Sequence, residues 1–225
     1  KKEYQMNLSE KEARLKILQL QLNPHFIYNV LQLLSNIAVE SDNREIEKVT
    51  DAFGLLLRYN LANENRKVCV AEEMQALEKY FFIVQKTYGK RLEITAEMEE
   101  RVKTLEMIPL ILQPVVENAV KHGLRPNKGP GEVVVQAKQN MDFLEITVMD
   151  NGVGINKERL EEVQALLKSD ARIAEEDIKG MSIGVKNVSD RIKHLYGNEY
   201  GLEIDAYEGM GTIVKYWLPL IWEDV

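Results

Sequence analysis

The hydrophobic pattern of this 225-residue chain changes from a helical period to a strand period near residue 90. Before that point, apolar residues recur every three or four positions, which predicts amphipathic helices. After it, stretches such as GEVVVQAK and DFLEITVMD resemble neighbouring strands with a buried face. The change therefore predicts two differently built domains, a helical N-terminal one and a mixed C-terminal one.

Two apolar stripes run along the N-terminal part, separated by the sequence SDN. The short connection from Glu40 to Arg44 predicts an antiparallel helical hairpin, and two helices alone cannot bury both stripes. We therefore expect two chains to dimerise into a four-helix bundle. The stripes contain Leu8, Leu15, Leu18, Leu22, Phe26, Ile27, Val30, Leu33, Leu34 and Ile37, and after the break Ile46, Val49, Phe53, Leu57 and Leu61.

The C-terminal part mixes helices with mostly antiparallel strands. A third helix is predicted from about Val70 to Tyr88, where Gly89 ends it. Segregated helices and strands predict an α+β fold, an α/β sandwich with the sheet on one side and helices on the other. The predicted strands are RLEITAEME, GEVVVQAK, DFLEITVMD and a closing hairpin, LEIDAYEGMGTIVKYWLP, and the helices cover 110–122, 156–168 and 184–196.

Composition excludes several classes of protein. The net charge of −7 and the pI near 5.2 argue against a nucleic-acid surface, which would need a basic patch. No apolar run approaches the roughly 18 residues of a membrane span. A single cysteine, Cys69, excludes an internal disulfide and fits a reducing, cytoplasmic setting. The chain begins in helical rhythm without a methionine, and we expect it to be a fragment of a longer protein.

His25 stands directly after Pro24, in the motif NPHF. Proline inside a helix costs about 3 kcal/mol and kinks the axis, so Pro24 is expected to fix a bend that aims the histidine. Helical spacing puts His25 on a polar face, opposite the apolar stripe. Taken alone, this pattern is better explained by a solvated histidine on a helix surface. The polar face contains Gln21, His25, Asn29, Gln32 and Asn36.

The motif ILQPVVENAVKHG predicts a helix with a polar C-terminal end. Asn118 is three residues before Lys121 and four before His122, so one face presents an amide, a cation and an imidazole. An amide oxygen suits Mg²⁺, and lysine suits phosphate oxygens. A polar helix end without ligands remains the alternative.

Glycine-rich turns surround the later strands. In MDNGVGI, a strand ends at Asp150, whose carboxylate can accept a hydrogen bond from a base amino group, and Gly152 and Gly154 permit close approach to the backbone. In KGMSIGVKNVSDRI, Gly184 precedes a helix whose N-terminus predicts an anion site. In GMGTIV, Thr212 enters a strand. Taken alone, MDNGVGI is better explained as a tight glycine turn, and the other two motifs are weak indications.

Taken in order, the motifs resemble those of the sensor histidine kinases, specifically the LytS/YesM-like branch whose phosphoacceptor box reads NPHF. The resemblance extends from about residue 15 to 220. It implies a dimerisation and phosphoacceptor domain over 1–66, a connecting helix over 67–89 and a Bergerat-type (GHKL) ATP-binding domain over 90–225. The motifs are NPHFIYN, LLRYNL, ILQPVVENAVKHG, DNGVGI, SIGVKNVSDRIKHLYG and GMGTIV.

The resemblance also implies roles for individual residues. His25 would be phosphorylated by ATP, and residues 169–183 would form a mobile lid over the nucleotide. Many histidine kinases place an acidic residue directly after the phosphoacceptor, but Phe26 stands here, so the base is unassigned. Glu117 is our first choice, with Asn29 or water as alternatives. At the phosphate end of the nucleotide, Asn118 would hold Mg²⁺, Lys121 and His122 would lie near the phosphates, and Gly184 would close the phosphate side. At the base end, Asp150 would bind the adenine amino group, and Gly152 and Gly154 would shape the base pocket. Thr212 would belong to the same site.

The implied partners are a second copy of the chain and a cytoplasmic response regulator. The implied location is the cytoplasmic part of a bacterial membrane receptor, attached through an upstream segment absent from this chain. Two alternatives stay open. An ATPase of the gyrase or chaperone type would share only the second half, and a dimeric pseudokinase scaffold would bind its ligands without transferring phosphate.

Overall fold

A computed structural model describes residues 24–62, 66–124, 130–168 and 182–220. The chain divides into two compact units, residues 1–55 and 56–225. The boundary between the units falls inside the helix Arg44–Ala62. The domain limits at residues 66 and 89 stay a prediction.

The described part of the first unit is a helical hairpin. Helix α1 covers Pro24–Glu40, and helix α2 covers Arg44–Ala62. Ser35 Oγ donates a hydrogen bond to Asp51 Oδ1 at 3.1 Å, so the helices lie antiparallel, as predicted. The described α1 begins at Pro24, so the bend expected from a proline inside a longer helix lies outside the described residues.

Among the side chains that the structure describes in the first unit, the buried ones are small or polar. Ser35, Ala38, Thr50 and Ala52 are buried. Much of the predicted apolar stripe is instead exposed in the single chain, because two helices offer too little surface to cover it. The exposed members of the stripe are Leu33, Leu34, Ile37, Ile46, Phe53 and Leu61.

The second unit contains a five-stranded sheet. Its neighbouring strands are antiparallel except for the first pair, which is parallel. A separate two-stranded sheet, which the sequence did not predict, is formed by β1 (Val68–Cys69) and β3 (Glu106–Met107). The large sheet contains β2 (Leu92–Met98), β4 (Gly131–Asn140), β5 (Phe143–Asp150), β6 (Gly201–Tyr207) and β7 (Gly211–Pro219), in the order β2-β4-β5-β7-β6.

Helices pack against one face of this sheet and share one hydrophobic core with it. The predicted α+β sandwich is confirmed for this unit. Core side chains from the sheet include Ile94, Val133, Val135, Ile146, Val148, Val214 and Tyr216, and those from the helices include Met74, Leu77, Val115, Val116, Val163 and Ile192. The helices are α3 (Val70–Tyr88), α4 (Gln113–Asn118, continued by a π-helical turn, Ala119–Leu124), α5 (Lys157–Lys168) and α6 (Ser182–Tyr196), with 3-10 turns at Gly89–Arg91 and Glu100–Val102.

The third helix has the predicted bounds, and Gly89 follows it with a positive φ of 69°. Helix α3 belongs to the second unit, and one of its faces is buried in the common core. Its role as a helix that connects two domains stays a prediction. The fourth helix starts at Gln113 rather than residue 110, because Leu110 has a left-handed φ of 62°.

Candidate functional site

Asp150 is the last residue of β5 and lies opposite Thr212 of β7. Its Oδ1 accepts a hydrogen bond from the Gly152 N–H at 2.9 Å, and the backbone and side chain of Thr212 also bond to its carboxylate. Burial raises the pKa of the Asp150 carboxyl to about 6, whereas the hydrogen bonds from Gly152 and Thr212 lower it. A carboxylate offers about four lone-pair sites, so Asp150 can accept a further donor.

Asp150 lines a small cavity between the sheet and helices α4 and α6. Aliphatic side chains form most of its walls, and Asn118, Asp150 and Thr212 are its polar members. Apolar walls with a few convergent polar groups are typical of ligand sites. The aliphatic and small lining residues are Val115, Ala119, Val148, Val185, Ile204 and Val214.

The turn after β5 packs tightly against the turn between β6 and β7. Gly209 N–H donates to Val153 O at 2.7 Å. A Cβ on Gly154, whose φ is +66°, would lie 1.9 Å from Tyr207 O, and a Cβ on Gly211 would lie 1.9 Å from Asp150 O. Both glycines are therefore needed for contact between the two turns. The roles of Gly154 and the buried Gly152 in shaping a base pocket stay predictions.

Asn118 ends α4 beside the first turn of α6. A Cβ on Gly184 would lie 3.5 Å from Asn118 Nδ2 and 3.9 Å from Pro114 Cβ. The fold thus brings together Asn118 and Gly184, which the sequence placed in one site. Helix α6 has 15 residues, and the free N–H groups and dipole at its start favour an anion.

A π-helical turn, Ala119–Leu124, follows Asn118 where the sequence predicted α-helix. Such turns are rare and frequently lie at functional sites. Lys121 is exposed, with its Nζ 3.5 Å from Glu117 Oε2. Gln113 Nε2 donates to Glu117 Oε1 at 2.9 Å. The backbone of His122 lies in the same turn, and its side chain lies outside the description.

His25 lies in α1, in the first unit, and its side chain is outside the description. Its outward direction and its meeting with the site around Asp150 therefore stay predictions. Most of the expected lid, residues 169–181, also lies outside the described residues. Ser182 and Ile183, the last two residues assigned to the lid, begin helix α6 instead.

Asn118 supplies an amide oxygen, a type of ligand that suits Mg²⁺ bound together with phosphates. This ion keeps several water ligands and needs only one or two protein groups beside substrate oxygens. Across the described ranges, no cluster of three or more His, Cys, Asp or Glu residues could hold a metal ion by itself.

None of the helices in the described ranges combines the length and the hydropathy of a membrane span.

Glu73 of α3 is a buried charged residue whose importance the sequence analysis missed. Its carboxylate accepts hydrogen bonds from the N–H groups of Leu110, Ile111 and Leu112, directly before α4. The sequence pattern could have indicated it, because Glu73 shares one face of α3 with Val70 and Leu77, and the other residues on that face are apolar. A carboxylate on an apolar helix face needs a donor partner elsewhere in the fold.

Comparisons with known proteins cover both units. Residues 13–92 match the model of the family described as histidine kinase. Residues 106–221 match the model described as histidine kinase-, DNA gyrase B-, and HSP90-like ATPase. The second match alone covers more than half of the chain and contains Asn118, Asp150 and Thr212.

Individual relatives agree with these matches. Sensor histidine kinase YesM of Bacillus subtilis (strain 168) is 33% identical over 93% of this chain. Sensor protein LytS of Enterococcus faecalis (strain ATCC 700802 / V583) is 32% identical over 96% of it. These matches span 34% and 35% of the respective relatives, so the chain corresponds to about a third of their length. Among solved structures, the catalytic domain of histidine kinase ThkA has a TM-score of 0.49 at 16% identity, covering 70% of this chain and 98% of that domain.

Proposed function

The chain belongs to the LytS/YesM-like family of sensor histidine kinases, and from this premise we propose that it is an ATP-dependent kinase that phosphorylates its own His25. The observation that carries the proposal is the cavity shared by Asp150, Thr212 and Asn118. It joins a buried carboxylate, apolar walls and an amide beside a helix N-terminus. A carboxylate can accept a hydrogen bond from the adenine amino group, and an amide oxygen and a helix N-terminus suit Mg²⁺ and phosphates.

Asp150 is the proposed recognition group for adenine. Its carboxylate accepts a hydrogen bond from the N6 amino group, while Gly152 and Thr212 hold it in place. Guanine presents a carbonyl oxygen at that position, and two acceptors would face each other. Leaving such groups unpaired costs about 1 to 3 kcal/mol, so ATP is favoured over GTP.

The phosphates of ATP are assigned to the end of α4 and the start of α6. Asn118 would hold Mg²⁺, and Lys121 and His122 would lie near the phosphate oxygens. Gly184 leaves the start of α6 open beside Asn118. The metal ion supplies neutralisation of phosphate charge, which is the main requirement of phosphoryl transfer.

His25 is the proposed nucleophile. The lone pair of one imidazole nitrogen forms a bond to the γ-phosphorus of ATP, the bond from that phosphorus to the bridging oxygen breaks, and ADP leaves. A neutral imidazole has a free lone pair on one ring nitrogen, and this is the form of His25 that would attack. The proton on the other nitrogen is released afterwards, and we assign Glu117 as its acceptor.

The proposed partners are a second copy of the chain and a response regulator. The exposed stripe of the α1–α2 hairpin, including Leu33, Ile37 and Phe53, supports dimerisation into a four-helix bundle. The phosphoryl group then passes from His25 to an aspartate of the regulator, as the P–N bond breaks and a P–O bond forms. We also propose that the protein works on the cytoplasmic side of a membrane, attached through a segment outside this chain.

Incubation with ATP labelled at the γ-phosphate tests the function. The wild-type chain is expected to acquire an acid-labile, alkali-stable label, and His25→Gln is expected to lose it. His194→Gln is the matched control, because His194 is exposed on α6, and it should keep the label.

The other outcomes identify the competing functions. Release of free phosphate without protein labelling would indicate an ATPase of the gyrase or chaperone type. No product despite nucleotide binding would indicate a scaffold. Full labelling of His25→Gln would remove His25 from the mechanism.

A further inference from the structure

The buried carboxylate of Glu73 organises the segment that leads into helix α4. Only 3% of Glu73 is exposed. Its Oε2 accepts from Leu110 N at 2.9 Å, and its Oε1 accepts from Ile111 N at 3.0 Å and Leu112 N at 3.2 Å. Helix α4 has no side-chain cap from its own N-cap residue, Leu112. Glu73 therefore supplies acceptors that the start of this helix would otherwise lack.

The same segment contains a strained residue. Leu110 has a φ of 62°, in the left-handed region that a branched side chain disfavours. Such a conformation persists when surrounding contacts hold it in place, and the bond from Leu110 N–H to Glu73 is one of them. The position of the first residues of α4 thus depends on where the Glu73 carboxylate lies.

Two other side chains donate hydrogen bonds to backbone carbonyl oxygens of the segment that leads into α4. Tyr216 Oη donates to Ile111 O at 2.8 Å, and Tyr216 is fully buried. Arg191 Nη1 donates to Pro109 O at 2.7 Å from helix α6. The segment is therefore fixed by the sheet and α6 as well as by α3.

Helix α2 contacts this arrangement through Tyr59. The Tyr59 hydroxyl donates to Glu73 Oε2, the same oxygen that accepts from Leu110 N. Burial and the nearby Glu73 raise the pKa of Tyr59, so the phenol keeps its proton and remains a donor at physiological pH. Tyr59 packs partly buried against the core of the second unit. Helix α2 begins in the first unit, at Arg44, and ends in the second.

We propose that Tyr59 is a positioning residue for nucleotide binding, acting through Glu73 on helix α4 and therefore on Asn118. This inference rests on the proposed function, because it assumes that Asn118 belongs to the ATP site. Helix α4 has six residues, Gln113–Asn118, and it joins the anchored segment to Asn118, its last residue. At about 1.5 Å per residue they form a short rigid rod, so a displacement at its start moves Asn118.

The proposal also gives the helix of the phosphoacceptor hairpin an influence on the ATP site. A movement of the end of α2 that weakens the bond from Tyr59 to Glu73 changes how the carboxylate holds Leu110. Binding of nucleotide at Asn118 must then favour the bonded state of Tyr59 to the same extent, because coupling between two sites is reciprocal.

Tyr59→Phe tests the proposal, since it removes one hydroxyl and keeps the ring. We expect the dissociation constant of a fluorescent ADP analogue to rise at least about fivefold, the lower end of typical coupling effects, at a temperature well below unfolding. Amide hydrogen exchange at residues 110–112 should become faster. Tyr88→Phe is the matched control, because Tyr88 is exposed at the end of α3, and it should change neither quantity.

A purely structural role for Tyr59 predicts a different result. The melting temperature would fall, while the ADP affinity of the folded protein and exchange at 110–112 would stay within twofold of the wild type. That result would overturn the proposal. Circular dichroism of each variant establishes that the comparison is made on folded protein.

Glu73→Gln tests whether Tyr59 acts on nucleotide binding through Glu73. If Tyr59 acts through Glu73, adding Tyr59→Phe to Glu73→Gln should change ADP affinity by less than twofold. Fully additive effects would overturn the proposed route. Should the wild-type chain fail to bind ADP, the proposed function falls, whereas exchange at 110–112 in Tyr59→Phe still decides whether Tyr59 holds this segment.

Discussion

The ionisation state of Asp150 decides whether the candidate site can accept a hydrogen bond from a base. Burial raises the pKa of this carboxyl to about 6. Most Asp150 carboxyl groups are therefore ionised at pH 7, and few are ionised at pH 5. Because only the ionised form accepts at both oxygens, we expect ATP affinity to fall about tenfold between these two values. The measurement is a titration with a fluorescent ATP analogue at each pH.

Asp150→Asn is the control for this pH dependence. The phosphates of ATP also titrate near pH 6, and their contribution remains in the variant. The introduced amide cannot ionise, so the variant should bind ATP weakly at both pH values and show a shallower profile than the wild type. Identical profiles for the two proteins would exclude Asp150 as the titrating group.

At the scale of elements, the turn after β5 and the turn between β6 and β7 depend on each other. Gly154→Ala would put a Cβ 1.9 Å from Tyr207 O, at a φ of +66°. Because the clash is with backbone, we expect a loss of about 2 to 4 kcal/mol in the free energy of unfolding, measured by urea denaturation.

Gly209→Ala separates steric contact from backbone conformation in this prediction. Gly209 has a similar φ of +79°, but nothing lies within 4 Å of its would-be Cβ. Its substitution should cost only about 1 to 2 kcal/mol, the conformational part of the effect. Equal losses in the two variants would mean that the turns separate easily, and the close contact would then contribute little to stability.

For the whole molecule, the exposed side of the α1–α2 hairpin predicts association of two chains. Phe53 is 45% exposed on α2. A charge buried at an apolar interface is costly, so Phe53→Glu should shift the chain from dimer to monomer in sedimentation experiments.

Lys48→Glu is the matched control for this experiment, since Lys48 is an exposed polar residue of the same helix and the substitution also adds negative charge. It should remain dimeric. A wild-type chain that sediments as a monomer, or a Phe53→Glu chain that stays dimeric, would show that the hairpin does not form the expected bundle.

Local patterns in the sequence were sufficient to predict most of the described helices and strands. Alternating residues identified the strands, helical spacing identified α3, and Gly89 marked its end, because each of these signals acts between near neighbours in the chain. The motifs around Asp150, Asn118 and Gly184 lie at ends of elements, where polar and glycine residues interrupt an apolar pattern. Their order also carried the family resemblance.

Tertiary contacts decided what no local pattern contains. The start of α4 at Gln113 follows from the bonds between Glu73 and the N–H groups of residues 110–112, which join distant parts of the chain. The raised pKa of Asp150 follows from burial by surrounding elements. Glycine is needed at position 154 because any Cβ there would meet the backbone oxygen of Tyr207 in β6. The sequence by itself therefore determined the elements and the types of chemical group at their ends. Only the packed structure decided which groups meet, because burial, charge and close contact depend on residues far apart in the chain.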